Sequence, residues 1–123
     1  MKINLKGTGV LVTPEITDYL YKRLEGIEKF LPDEGRAFIA DVELARTTRH
    51  HQAGDIFRAE INLLMGSRSF RAVSEQADMH SAIDVMKDEI TRELSTYKEK
   101  KISYLRRGGQ KLKKLIRRFY SAE

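Results

Sequence analysis

From Lys2 to Gly7 the chain alternates: Ile3 and Leu5 share one face, and Lys2, Asn4 and Lys6 share the other. A period of two marks a half-buried strand, here closed by Gly7. The period then changes. Ile16, Leu20, Leu24, Ile27 and Leu31 recur at spacings of three and four, which places them on one side of a helix. Thr13 supplies a capping oxygen, Pro14 suits the first helical position, and Glu15 stands at the positive end of the dipole. The spacing predicts a helix from Pro14 to about Phe30, stopped near Pro32, with Gly26 as a weak point inside it.

Alternation then returns three times. Phe38, Ala40, Val42 and Leu44 interleave with Ile39, Asp41 and Glu43. Phe57, Ala59, Ile61, Leu63 and Met65 interleave with Arg58, Glu60 and Asn62, and Phe70, Ala72 and Ser74 with Arg71 and Val73. The segment MGSR around Gly66 predicts a tight turn between the last two strands. TTRHHQAGD predicts a longer exposed loop between the earlier two. Asp78 caps a second helix, whose stripe runs Met79, Ala82, Ile83, Met86, Ile90, Leu94, Tyr97 and Lys101. That helix is expected to end near Arg107, where Gly108-Gly109 stops it. A short terminal helix then covers Gln110 to about Tyr120, with Leu112, Leu115, Ile116 and Phe119 on one side and five Lys/Arg on the other.

The order is strand–helix–strand–strand–strand–helix, an α+β plan: a four-stranded sheet with two helices on one face, plus a short C-terminal basic helix. The other sheet face is polar, with Lys2, Lys6, Asp41, Glu43, Arg58, Glu60 and Arg71. The expected division is a domain over residues 1–107 and a basic extension over residues 108–123.

A chain of 123 residues suits one domain with one modest core. It has no Cys, which excludes disulfides and thiolate metal sites. No apolar run approaches the roughly 20 residues of a spanning helix, and MKINLKGTG lacks the apolar stretch of a signal peptide. The expected location is the cytosol. Charge changes the picture more. The chain carries +5, yet residues 87–122 hold 12 Lys/Arg against 4 Asp/Glu, a surplus of +8 that leaves −3 for everything else. The basic character is local, and a local basic block calls for an anionic partner.

Catalytic signals are weak. His50 and His51 lie together in a loop and His80 in the first turn of the long helix, with no His-x-x-x-His spacing and no HExxH. GTGVLV begins like a dinucleotide-binding fingerprint, but Val12 stands where the third glycine belongs, so a turn after the first strand is the better reading. No P-loop and no G-x-S-x-G occurs. The carboxylates are scattered and offer no acid/base pair. The expectation is a protein that is not an enzyme and takes no cofactor or metal.

Mixed charge on a helix is ordinarily a solvated face, as with Asp88 and Arg92 four apart. From Lys98 onward that account fails, because only Glu99 opposes ten Lys/Arg up to Arg118. Lys87 and Lys98, eleven residues apart, return to one helix flank within about 20° and can line one RNA backbone. Arg46 and Arg49 in the long loop, and Lys22, Arg23 and Lys29 on the first helix, are secondary candidates. A membrane surface fits less well, since the terminal helix is short and the chain has no Trp. No aromatic-rich sheet face suggests stacking of single strands. Structured RNA, recognised by shape and charge, is the expected anion.

The long helix, DMHSAIDVMKDEITRELSTYKEKK, resembles the signature helix of the ribosome hibernation-promoting factors, also called ribosome-associated inhibitor A or sigma-54 modulation proteins. Asp78, Met79, Ala82, Ile83, Asp84, Arg92, Leu94, Lys98 and Lys100 match its pattern. MKINLKGTGVLVTPEITDYL and LEGIEKFL match in spacing, so the resemblance covers residues 1 to about 101. It implies a β-α-β-β-β-α fold resembling the double-stranded-RNA-binding fold. It implies binding to the small ribosomal subunit and its rRNA between head and body, in competition with mRNA and tRNA, silencing translation in stress or stationary phase. Carried over by position, Arg23, Lys29, Lys87, Arg92, Lys98, Lys100 and Lys101 become RNA contacts. Lys22, Arg106, Arg107, Lys111, Lys113, Lys114, Arg117 and Arg118 join them on charge. Family Lys positions are Gly26 and Glu89 here: either the rRNA contact is absent there, or neighbours such as Lys22 and Lys87 compensate. After Lys101 a basic stretch stands in place of the dimerisation domain of longer members, so ribosome dimer formation through a second domain of this chain is not expected, and the protein is expected to be monomeric off the ribosome. The alternative is a general structured-RNA-binding module without ribosome specificity.

Overall fold

The computed structural model describes residues 1–31, 38–48 and 54–121, and for residues 104 and 109–121 the backbone alone. Four strands and two helices follow in the order β1 (Lys2–Thr8), α1 (Pro14–Glu25), β2 (Ile39–Thr48), β3 (Asp55–Met65), β4 (Arg68–Gln76) and α2 (Met79–Ser121). The strands form one sheet in the order β1-β2-β3-β4. β1 runs parallel to β2, and the other two pairings are antiparallel. The α+β plan expected from the pattern is the plan observed.

Registers explain why each strand alternates. Val42 stands opposite Ile61, and Ile61 opposite Ala72. Ala40 faces Leu63, and Leu63 faces Phe70. These side chains fill one sheet face, where α1 adds Leu20 and Leu24, and α2 adds Met79, Ala82, Ile83, Met86, Ile90 and Leu94. Each fully buried Leu or Ile contributes about 1.5–3 kcal/mol by leaving water, so this single layer holds the fold together. The second face stays polar. Asn4 donates to Asp41 at 2.9 Å, Lys6 lies 3.8 Å from Glu43, and Arg71 Nε donates to Glu60 at 2.7 Å.

The helix starts follow local chemistry. Thr13 accepts from the Ile16 amide, and Pro14 opens α1. Asp78 accepts from the Ser81 amide at 2.8 Å and from the Ser81 hydroxyl at 2.8 Å. Those two bonds favour the carboxylate and hold its pKa below the ordinary value. α1 ends earlier than expected: it stops at Glu25, Gly26 caps it, and a single 3-10 turn covers Glu28–Phe30. The stop expected near Pro32 and the loop carrying Arg49, His50 and His51 lie outside the described residues. Gly9 has φ 66°, and a Cβ there would stand 2.8 Å from the Arg46 carbonyl oxygen. The glycines of GTGV thus let a turn close against β2, as the simpler reading had it.

The C-terminal half departs from expectation. Gly108-Gly109 does not end the second helix, and among the described residues there is no separate terminal helix; α2 is one helix of 43 residues. Gly108 carries no left-handed φ. A glycine pair weakens a helix by only about 1 kcal/mol per residue relative to alanine. The flanking Leu, Arg, Gln and Lys favour helix, and no proline follows.

Candidate nucleic-acid interface

α2 passes from a packed segment to a projecting one. Its apolar stripe is buried from Met79 as far as Leu94. Tyr97 is the last anchor: its ring meets Phe70 edge-on at 5.3 Å, and the Arg68 guanidinium lies 4.7 Å from its centroid. Arg68 opens β4 directly after the turn at Gly66 and Ser67. The helix therefore clears the end of the sheet after Tyr97. From Lys98 to Ser121 it extends about 36 Å further at the α-helical rise.

One flank of α2 faces α1. Arg23 Nε lies 2.9 Å from Asp84 Oδ1, and Arg23 also donates to the Tyr19 hydroxyl at 2.9 Å. Tyr19 in turn donates to Asp84 at 2.6 Å. The Tyr19 hydroxyl and then Asp84 raise the Arg23 pKa above its ordinary value. Arg23 thus spends much of its field inside the molecule, clasping α1 to α2. The Tyr19 ring continues the clasp to His80, whose Nε2 lies 3.5 Å from Glu15. Lys87 comes next along this flank. A Cβ placed on Gly26 would stand 3.7 Å from Lys87 Cε, so the Lys87 stem runs over the glycine and brings its ammonium to the end of α1. Lys22 is exposed in the last turn of α1, and Lys29 lies over the Phe30 ring at 5.3 Å. Lys87 itself is 4.0 Å from Asp88.

The opposite flank forms an open cleft with β4. It holds about 590 Å³ between Arg68, Phe70 and Arg71 of the strand and Glu89, Arg92, Glu93, Thr96, Tyr97 and Lys100 of the helix. Four cations against two carboxylates leave it basic. Arg92 and Lys100 were expected in a basic surface; Arg68 and Arg71 were not. Their only sequence signal is position: Arg71 alternates with the buried Phe70 and Ala72, and Arg68 opens the strand on the same face as Phe70. Arg71 is tied to Glu60, and Arg58 also reaches Glu60 at 3.8 Å. Arg92 and Lys100 have no ion pair among the described residues and carry the open charge of the cleft.

The expected single stripe is therefore two flanks and a projection. Lys87 stands with Lys22, Arg23 and Lys29 beside α1. Arg92 and Lys100 stand across the helix, beside β4. Lys98, Lys101, Arg106 and Arg107 are exposed on the projecting part. Lys111, Lys113, Lys114, Arg117 and Arg118 follow on the same helical backbone, their side chains outside the described residues. Among the described residues no three His, Cys, Asp or Glu side chains gather as a metal site, and no helix is long and apolar enough to cross a membrane.

Comparison with known proteins matches this architecture. A family model described as sigma 54 modulation protein / S30EA ribosomal protein covers residues 3–102. A ribosome hibernation promotion factor of Picosynechococcus sp. is 30% identical over 100 residues, which are 81% of this chain and 50% of that one. The chain thus spans half the length of that relative. A ribosome hibernation promoting factor of Klebsiella oxytoca is 26% identical over 100 residues, 81% of this chain and 96% of that one. The N-terminal domain of Thermus thermophilus Protein Y superposes with a TM-score of 0.65 at 23% identity, over 79% of this chain and 99% of that domain. A ribosomal subunit interface protein from Coxiella burnetii gives 0.64 at 18%, over 80% and 99%. At those identities the two structures establish the fold.

Proposed function

Because the chain belongs to the sigma 54 modulation protein / S30EA ribosomal protein family, we propose that it is a ribosome hibernation factor. It binds rRNA of the small subunit in the mRNA and tRNA channel and blocks translation under stress or stationary phase, without catalysing a reaction. One observation carries this reading beyond the family match. The family domain presents basic side chains on both flanks of a single rigid helix, with Lys87 beside α1 and Arg92 with Lys100 beside β4. Phosphate backbones lying on either side of α2 would each find cations, as a protein wedged between two rRNA surfaces requires. Residues 1–107 form the ribosome-binding part, and the basic residues after Gly108 add non-specific attraction.

Lys87 supports the reading in a second way. Where the family pattern places a Lys, this chain has Gly26, and the Lys87 stem crosses that glycine. The charge is restored from α2 at nearly the same place. Glu89 has no such replacement and lies in the cleft with Arg92. A general RNA-binding module would also use these cations, so the decisive property is preference for the intact subunit.

Toe-printing of initiation complexes checks the mode of action. Saturating protein should abolish the initiation signal, and premixed mRNA and initiator tRNA should weaken protein binding. An unchanged toe-print would sink the channel reading. Equal affinity for small subunits and for bulk duplex RNA at matched salt would favour the general module instead.

A further inference from the structure

The cleft between α2 and β4 holds charge of both signs and leaves it unpaired. Elsewhere on the domain opposite charges meet, as Arg23 meets Asp84 and Lys6 meets Glu43. In the cleft, Glu89, Glu93, Arg92 and Lys100 form no ion pair among the described residues. Glu89 and Arg92 stand three apart on α2, a spacing at which a pair can form. Glu89 and Glu93 stand four apart, where like charges repel. A groove that served a phosphate backbone alone would gain nothing from two carboxylates.

The strand side of the cleft supplies a flat cation. The Arg68 guanidinium lies over the Tyr97 ring, 4.7 Å from its centroid, and Phe70 meets that ring edge-on at 5.3 Å. Tyr97 steadies the guanidinium from one side, while Arg68 remains exposed to solvent. A guanidinium held in this way is a platform for a planar ring. The cleft volume of about 590 Å³ falls within the range of about 300–1,000 Å³ that suits one small molecule.

We infer that the cleft takes one unpaired nucleotide of the bound RNA. Its base lies on Arg68, its phosphate meets Arg92 and Lys100, and the donor edge of the base meets the carboxylates of Glu89 and Glu93. The inference rests on the rRNA-binding reading and adds base selection to it. Cations hold any backbone, whereas a carboxylate only accepts and so selects a base with N–H groups on its edge. Guanine presents N1–H and N2–H side by side to one carboxylate. Adenine and cytosine present one amino group. Uracil presents one N–H between two carbonyl oxygens, which the carboxylates repel. Guanine is therefore preferred and uracil disfavoured. In a duplex that edge is occupied by the pairing base, so the nucleotide must be unpaired. A mixed-charge peptide would meet both signs of charge without needing the platform.

The probe is a fluorescein-labelled hexauridylate carrying one guest nucleotide, G, A, C or U, titrated with the full chain and read by anisotropy. The G guest should bind about tenfold tighter than the all-U strand, the scale of one good base contact. Replacing both carboxylates, Glu89→Gln with Glu93→Gln, removes two negative charges. The all-U strand should then bind more tightly while the G-over-U ratio falls toward one, a pair of movements that relief of repulsion alone does not produce. Arg68→Lys keeps the charge without the plane and should weaken the G guest more than the all-U strand. Lys100→Ala should weaken all four strands alike. Equal affinity for the four guests overturns the inference, as does a G-over-U ratio that the double variant leaves unchanged. On the small subunit, p-benzoylphenylalanine in place of Thr96, which lines the cleft, should crosslink to rRNA. A crosslink to a ribosomal protein instead gives the cleft to a peptide and overturns the inference. Small-subunit binding without preference among the guests sinks the nucleotide site alone. Preference for the G guest without small-subunit binding supports the site and sinks the ribosome reading.

Discussion

The body of the domain and the free end of α2 use the same residue types and handle them in opposite ways. In the body, charge is matched: Arg23 meets Asp84, Lys6 meets Glu43, and Arg71 meets Glu60. The leucines that meet the sheet–helix layer, such as Leu20, Leu24, Leu44, Leu63 and Leu94, are buried there, while Leu11 and Leu64 lie exposed outside it. Beyond Tyr97 the same helix carries exposed leucine and a run of cations opposed only by Glu99. A surface that only had to fold would gain nothing from that arrangement. Along one continuous helix, the N-terminal part answers to the sheet, and under the proposed function the C-terminal part answers to the ribosome.

Truncating a leucine in each region tests that contrast most sharply. Leu94→Ala removes a fully buried side chain from the core and should lower the unfolding free energy by about 2–5 kcal/mol. Leu105→Ala touches a side chain already in water and should change it by no more than about 0.5 kcal/mol. Urea melts followed by circular dichroism give both numbers. Equal losses would mean that the overhang packs on the domain after all.

Cutting the chain after Arg107 probes the charge side of the comparison. The cut removes Lys111, Lys113, Lys114, Arg117 and Arg118 against Glu123, a loss of +4. Melting of the remaining domain should hardly change. Affinity for small subunits should fall, and so should its dependence on salt. With something like six phosphate contacts, the full chain should lose about a thousandfold in affinity between 50 and 200 mM salt, and the truncated chain visibly less. A collapse of melting with unchanged affinity would make the extension structural.

Single cations refine the contrast further. Lys100 has an open charge in the β4 cleft, so Lys100→Ala should weaken subunit binding and reduce the log–log salt slope by about one. Arg23 is already held by Tyr19 and Asp84. Its removal should leave the salt slope nearly unchanged and loosen α1 instead, seen as faster amide exchange in that helix. Identical slopes for the two variants would show that the clasp does not occupy Arg23.

These contrasts were only partly legible in the sequence. Strand alternation was, because every strand buries one face against a single layer and a period of two records that directly. The cap at Asp78 and the stripe to Leu94 were legible for the same reason: the signals are local. The clasp was not, since Tyr19 and Asp84 are 65 positions apart and nothing in either segment names the other. Arg68 and Arg71 were missed because their role depends on β4 lying beside α2, a tertiary fact. Gly108-Gly109 misled because glycine permits a stop without imposing one. With helix formers on both sides and no residue forced to a left-handed φ, the helix runs on. That error hid the length of α2, which runs on past the sheet as one helix.

The smallest expected effect concerns the two ends of α2. The start is fixed by a charged cap: Asp78 accepts from the amide and hydroxyl of Ser81, which lowers its pKa in the folded state. A lowered folded pKa means stability that is present above the unfolded value, near 3.9, and is lost as pH falls through the folded one. The acid limb of the melting curve should therefore contain a contribution from this cap below about pH 4. Asp78→Asn keeps a capping oxygen and removes the titration. The variant should melt close to wild type at pH 5, and its melting temperature should fall less steeply from pH 4 to pH 2.5. Parallel curves through that window would mean that the cap gains nothing from its charge. Further along α2 no carboxylate stands between Lys100 and Ser121, so nothing in that stretch of the helix titrates in this window.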